Sequence, residues 1–221
     1  DLLGDSIIAQ GQRLALEHTE IREGEISVGG YAFPSMDRRQ LQEALPYLTT
    51  LSPGCFEVDE NGAMCDLSDQ IQLCRAKELG VLPVLRLRCE GDRLHHLIQT
   101  PAARERLLAH IGALLPRLGY RGVEAELRVL TGQSHHRLTA FLEGLRSVTN
   151  PFGPLTLIPS PQSDYDPGEG VVDRILLRRC PFERMHDAPG GISGQTLRKA
   201  VERALNKTAS RRVFLGIPTC G

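Results

Sequence analysis

Gly119-Tyr120-Arg121-Gly122-Val123-Glu124-Ala125-Glu126-Leu127-Arg128 is the stretch on which the fold turns. It has the character of a short buried strand entered through a glycine turn. Side chains alternate along a strand. Glu124, Glu126 and Arg128 therefore share one face, and Val123, Ala125 and Leu127 share the other. Three charged side chains on one face of an otherwise apolar strand are costly to bury unless they are paired. Such a face lines a site or the polar interior of a barrel.

Outward from this strand, apolar runs and helical spacings alternate. Ile26 to Phe33 is expected as a first strand and Pro53 to Val58 as a second, followed by a turn at Asp59-Glu60-Asn61-Gly62. Val81 to Cys89 is a third strand, Leu155 to Ser160 a fifth, Val172 to Cys180 a sixth and Arg212 to Ile217 a seventh. Between them, helices are expected over Arg38 to Leu48, Ser68 to Leu79, Pro101 to about Leu118, Ser134 to Val148 and Gly194 to Asn206. Pro116 predicts a distorted last turn in the third of these. Strands and helices in strict alternation imply parallel βαβ units. Two features depart from a full barrel. Pro161 to Val171 is too short for a crossover helix, and no eighth unit follows the seventh strand. The pattern alone is that of an α/β fold, either a barrel or an open sheet.

Composition sets outer bounds. The 221 residues carry 26 basic and 27 acidic side chains, with 41% hydrophobic residues. That is ordinary for a globular domain and somewhat short for a complete eightfold barrel of about 250 residues. A net charge of −1 gives no electrostatic footprint for nucleic acid or anionic membrane. No run is long enough to span a bilayer. The chain opens on Asp1 without Met, which reads as a fragment or a processed form. The six cysteines, Cys55, Cys65, Cys74, Cys89, Cys180 and Cys220, form no Cys-x-x-Cys pair, so free and mostly buried thiols are expected. His95-His96 and His135-His136 are adjacent in sequence and do not face one ligand site; surface positions are expected, and no metal or cofactor. Pro189-Gly190-Gly191 lacks the Lys and the strand–helix frame of a phosphate loop.

Several segments together carry a family resemblance. Gly30-Tyr31-Ala32-Phe33-Pro34, Leu45-Pro46-Tyr47-Leu48-Thr49 through Asn61-Gly62, Gly80-Val81-Leu82-Pro83-Val84 and Val213-Phe214-Leu215-Gly216-Ile217-Pro218-Thr219 resemble strand segments of glycoside hydrolase family 18, in its LysM-linked, spore-germination branch. The Glu124 stretch resembles that family's fourth strand, Asp-Gly-Val-Asp-Ile-Asp-Phe/Trp-Glu, whose final Glu is the general acid. The resemblance implies an incomplete (β/α)8 TIM-type barrel of about seven strands over residues 21–221. Residues 1–20 resemble the tail of a LysM repeat, with an N-terminal linker as the alternative. The implied setting is a cell wall, spore or extracellular space, and the implied partner is an N-acetylated glycan, peptidoglycan or chitin-like.

The chemistry departs where it matters most. Glu124 and Glu126 fall on the family's middle acids, but Arg128 falls on its catalytic Glu. Arg178, Cys180 and Pro181 stand where the family has Met-x-Tyr-Asp/Glu, Arg86 and Arg88 replace small or polar inward residues, and Cys220 replaces a Tyr. An arginine cannot give up a proton near neutral pH, and loss of a general acid costs about 10²–10⁴ in rate. Glu126 lies roughly 6–7 Å back along the strand. Weak or absent hydrolysis is therefore expected, with an acid rearranged to Glu126 or Glu124 as the alternative. Two uses of the charged face remain open: a structural network of Glu124 and Glu126 with Arg86, Arg88, Arg128 or Arg178, or a pocket for an acidic or N-acetylated sugar that adds Tyr31, Arg86, Arg178 and Cys180. Asp164-Tyr165-Asp166 reads as a polar turn or a rim contact. A third reading is a purely structural or interaction domain, with self-association through the incomplete barrel edge.

Overall fold

The structure is a computed structural model, and it describes residues 27–32, 38–66, 70–128, 135–160, 167–178, 194–207 and 212–216. The elements in chain order are β1 (Gly29–Tyr31), α1 (Arg38–Ala44) with a 3-10 turn at Leu45–Tyr47, β2 (Thr50–Ser52), β3 (Phe56–Val58), β4 (Met64–Asp66), α2 (Gln70–Glu78), β5 (Leu82–Pro83) and β6 (Leu85–Glu90). Then follow α3 (Gly91–Gln99), α4 (Pro101–Leu118), β7 (Val123–Arg128), α5 (His135–Thr149), β8 (Leu155–Pro159), β9 (Arg174–Arg178), α6 (Gly194–Lys207) and β10 (Val213–Gly216).

The strands run in barrel order. One sheet has the order β1-β2-β5 and the other β10-β9-β8-β7-β6-β3-β4. The second barrel strand is thus split into β2 and β3 around Pro53-Gly54, and the third into β5 and β6 around Val84. Every pairing is parallel except β3 with β4, an antiparallel hairpin across the Asp59 turn. That turn is fastened by Asp59 Oδ1, which accepts from the backbone N–H of Asn61 at 2.9 Å and of Ala63 at 2.8 Å. Among the described residues β1 and β10 do not pair, so the barrel is not closed. β8 and β9 are adjacent and parallel despite their short connection.

Period-two patterning explains the layers. In β7, Val123, Ala125 and Leu127 are buried against the helices, and the same holds for Leu85, Leu87 and Cys89 of β6. α4 presents Ala103, Leu107, Ile111 and Leu115 to this layer, four positions spaced by four along one helical face. α5 adds Leu138, Phe141, Leu142 and Leu145. One apolar core results, lying between the sheet and its outer helices. Burial there is the main source of stability, at about 25 cal/mol per Å² of apolar surface.

Two expectations are corrected, and the helix read from Pro101 to about Leu118 is borne out. The helix α3 was not foreseen, although Leu94, Leu97 and Ile98 bury at helical spacing and His95 and His96 ride exposed on its outer side. The single second strand is two short strands with an added hairpin partner, because Pro53 and Gly54 interrupt the ladder. The helix α4 runs through Pro116 to Leu118 and caps at Gly119, whose N–H bonds Leu115 O. The LysM-like tail, Cys180, Pro181, Cys220, Asp164-Tyr165-Asp166 and Pro189-Gly190-Gly191 lie outside the described residues.

The entry to β7 depends on Gly122. Its φ is +138°, and a Cβ there would sit 2.9 Å from Pro154 O. This close approach lets Leu85 N–H reach Gly122 O at 3.0 Å and Val123 N–H reach Pro154 O at 3.0 Å, so β7 is held from both sides. Gly80 has φ +73° with nothing within 4 Å of a Cβ. Gly80→Ala is expected to cost only the backbone term of about 1–2 kcal/mol. Gly122→Ala is expected to cost more, because the clash adds to the strain. Urea unfolding of the two variants, compared at equal m-value, checks the order.

Candidate functional site

The charged face of β7 does turn into the barrel interior, and β6 supplies its complement. Arg86, Arg88 and Glu90 of β6 are in register with Glu124, Glu126 and Arg128 of β7. The side chains do not simply pair across that register. Arg86 reaches forward to Glu126, with Nη2 at 2.5 Å and Nε at 3.1 Å from Oε2. Arg128 turns back along its own strand and gives Nη2 to Glu126 Oε1 at 3.0 Å. Its Nη1 goes across to Glu90 Oε2, also at 3.0 Å. Arg88 bonds Glu57, its neighbour on β3.

Glu126 is therefore clamped. It is 1% exposed and Arg86 is 2% exposed. Both of its oxygens accept from guanidinium groups, the strongest common form of charge-assisted hydrogen bond. Burial by itself would lower the pKa of Arg86, but the charge of Glu126 and its hydrogen bond outweigh that, so the guanidinium lies above its ordinary value. Tyr31 joins from β1. Its hydroxyl donates to Glu124 Oε1 at 3.2 Å, and Arg86 Cζ lies 5.4 Å from its ring centroid. One phenol thus spans the interior from the first barrel strand to the fourth.

The expected residues are only partly brought together. Tyr31, Arg86, Glu124, Glu126 and Arg128 form one cluster. The backbone of Arg178 ends β9 in register with Gly216, with β8 between it and β7. Three neighbours were not foreseen. Glu57 and Glu90 belong to the same charged set, and Glu90 continues the period-two series Arg86, Arg88, Glu90 one residue beyond the strand end read from the sequence. Cys55 lies within reach of Arg86, Arg88, Glu57 and Glu126; burial pushes its thiol pKa up, while the two arginines pull it down. Beside this set, Glu57, Val58, Arg88, Cys89, Glu90 and Arg93 line a cavity of about 200 Å³ at the C-terminal ends of β3 and β6. Among the described residues no group of three or more His, Cys, Asp or Glu is placed to hold a metal ion, and no helix is long and apolar enough to cross a membrane. The described cysteines, Cys55, Cys65, Cys74 and Cys89, are free thiols, but against expectation they are not mostly buried: Cys65 and Cys74 are exposed, Cys55 is half-buried and Cys89 is buried.

Two stability predictions follow from these burials. Glu126→Ala removes the carboxylate that pairs the buried Arg86, while Arg128 keeps Glu90, and is expected to cost about 3–5 kcal/mol. The double variant Arg86→Met/Glu126→Leu removes both buried charges and is expected to recover most of that loss, since apolar replacements of buried pairs are often neutral or better. Denaturant unfolding of the single and double variants reads both. Burial also pushes the Cys89 thiol from 9.0 up to about 12. Between those values the unfolded chain loses this proton and the folded chain keeps it. Stability is then expected to fall as pH rises through that window, by linkage. Cys89→Ala, compared with wild type from pH 8 to 11, should flatten that part of the slope.

No protein-family model matches the chain. It is 25% identical over 207 residues to a Bacillus subtilis protein described as a sporulation-specific glycosylase, YdhD, covering 85% of this chain and 49% of the relative. The chain thus spans about half the length of the curated relative it matches. Among solved structures it superposes on the spore cortex-lytic enzyme SleL of Bacillus megaterium with a TM-score of 0.73 at 15% identity, covering 86% of this chain and 50% of that one. A class V chitinase of Pseudomonas fluorescens gives a TM-score of 0.71 at 14% identity, covering 88% of this chain and 69% of that one. The resemblance to glycoside hydrolase family 18 is borne out in the fold: the chain carries the chitinase-type barrel, open among its described residues.

Proposed function

We propose that this domain binds N-acetylglucosamine-containing glycan, of the peptidoglycan or chitin type, and hydrolyses it weakly or not at all. The names of its relatives, a chitinase, a spore cortex-lytic enzyme and a sporulation-specific glycosylase, support the ligand class. The observation that carries the catalytic half is the double engagement of Glu126, whose two oxygens accept from Arg86 and Arg128. Glu57 accepts from Arg88, Glu90 and Glu126 from Arg128, Glu126 also from Arg86, and Glu124 from Tyr31.

A general acid needs a carboxyl whose neutral form persists near the working pH. A guanidinium neighbour favours the charged form instead. Glu126, the obvious substitute acid, is buried under two such neighbours and 1% exposed. Glu90 stands in register with Arg128, at the height of the family's acid, but its side chain is 52% exposed and bonded to that arginine. Glu126, held this way, is not set up to protonate a glycosidic oxygen.

The test is release of reducing sugar from chitin oligomers and purified peptidoglycan, by the natural protein and by Arg128→Glu. The new carboxyl would lie between Glu126 and Glu90, and like charges raise a carboxyl pKa toward the range an acid needs. The natural protein is expected to release none, and the variant to gain at least ten-fold over that background. Release by the natural protein would overturn this account: release lost in Glu126→Gln or Glu90→Gln would make that residue the acid, and release that survives both would put the acid outside the cluster. Binding of the same oligomers to the natural protein checks the ligand half.

A further inference from the structure

We propose that Asp173 is a latch, and that β9, α6 and β10 form a unit that opens as one body from the rest of the barrel when the latch lets go. The unit meets its neighbour at a weak seam. Helices α3 and α4 lie between β6 and β7 in the chain, and α5 lies between β7 and β8, but among the described residues no helix lies between β8 and β9. The β8–β9 ladder pairs Thr156 with Arg174 and Leu157 with Ile175. The ladders on either side are longer. That of β7 and β8 runs from Val123 and Leu155 to Leu127 and Pro159, and that of β9 and β10 from Ile175 and Val213 to Arg178 and Gly216. The unit is also thinly buried. Among its described side chains, Leu176, Leu177 and Ala200 are the buried apolar ones, whereas α5 alone buries Leu138, Phe141, Leu142 and Leu145. A segment with strong internal pairing and little apolar burial against its surroundings opens at lower cost than the whole fold.

Asp173 holds the seam where β9 begins. Its backbone N–H donates to Leu155 O at 2.9 Å, and its Oδ2 accepts from Leu155 N–H, also at 2.9 Å, so one residue closes a two-bond ring on the first residue of β8. Its Oδ1 pairs with Arg146 Nη1 at 2.7 Å, in the last turn of α5. Its carbonyl accepts from Arg212 Nε at 3.3 Å, and Arg212 Nη2 donates to Val172 O. Arg212 leads directly into β10. One residue thus ties α5, β8 and the entry to β10 at a single point. The side chains of Arg146 and Asp173 are 31% and 33% exposed, so the ion pair alone contributes little. The hold comes from the same carboxylate also taking the Leu155 N–H, a charge-assisted bond. The two residues before it, Val171 and Val172, are buried in the main core, so the boundary of the unit falls at Asp173. The backbone of Arg178 lies inside the unit. The latch therefore fixes where that residue stands relative to the charged cluster on β6 and β7.

Hydrogen exchange of the whole chain tests this, read by mass spectrometry on peptides covering each strand and corrected for intrinsic rates. In the natural protein the peptides of β9, α6 and β10 are expected to exchange about ten-fold faster or more than those of β6 and β7. Asp173→Ala removes contacts made only in the closed state, and is expected to speed β9 and β10 about ten-fold or more. Ile111→Val trims the core that stays folded when the unit opens. It is expected to speed β6 and β7 about two-fold or more and to leave β9 and β10 unchanged, because their opening does not break that core. Asp173→Asn keeps an acceptor for the Leu155 N–H, and Arg146→Met removes only the ion pair. Each is expected to speed β9 and β10 about two-fold or more, and they carry the test if Asp173→Ala does not fold. Equal acceleration of all strands by Ile111→Val would show a barrel that opens in one piece and would overturn the unit. Unchanged exchange of β9 and β10 in the Asp173 variants would overturn the latch.

Discussion

Everything inside this barrel depends on one carboxylate held by two guanidiniums. Bringing Glu126 out of water costs several kcal/mol even after relaxation. Arg86 from β6 and Arg128 from the end of β7 offset that cost from opposite sides. Neither arginine acts alone. Arg86 also lies over the ring of Tyr31, whose hydroxyl bonds Glu124, and Arg128 also bonds Glu90. The first, third and fourth barrel strands are therefore joined through polar groups across the interior, while the outer helices hold the same strands by apolar packing. The two systems use alternate residues of the same strands, so either can vary without rewriting the other.

That arrangement gives a charged strand face inside the barrel the partners it needs. Arginine is suited to supply them: its planar fork meets carboxylates with several donors and keeps its charge. Each such contact stabilises the ionised carboxylate, and each makes it a poorer proton donor. Satisfying the buried charges and providing a general acid are opposing demands on the same residues. At Glu126 both oxygens are taken up by the first demand, one by Arg86 and one by Arg128.

The sequence made the faces legible but not the partners. Strict alternation placed Glu124, Glu126 and Arg128 together, and Arg86 with Arg88, because a strand has only two sides. It did not show that Arg86 passes over Glu124, its register neighbour, to reach Glu126, nor that Tyr31 closes the gap from β1. Those choices depend on strand curvature, which no local pattern encodes. Glu90 was missed because an exposed acid at a strand end looks like the start of a loop. Glu57 was missed because a lone acid between Phe56 and Val58 looks like a solvent-facing position, and only the parallel neighbour β6 shows that it faces Arg88. The split of the second and third strands follows from Pro53-Gly54 and Val84, which interrupt the ladders without breaking the barrel order. For Arg178 the sequence supplied a position and the structure a backbone register, at the far side of β8 from the cluster.

The placement of the cluster also bears on what an open barrel can do. Tyr31, Glu57, Arg86, Arg88, Glu90, Glu124, Glu126 and Arg128 all come from the first four barrel strands. β7, in the middle of the seven-stranded sheet, is paired on both sides, to β6 and to β8. The other end of that sheet is less enclosed: along β10 the residues are half-buried or exposed, with Leu215 50% exposed. Among the described residues the charged cluster is thus assembled by the enclosed half of the barrel, where Arg86 and Arg128 take both oxygens of Glu126 with no pairing of β1 to β10.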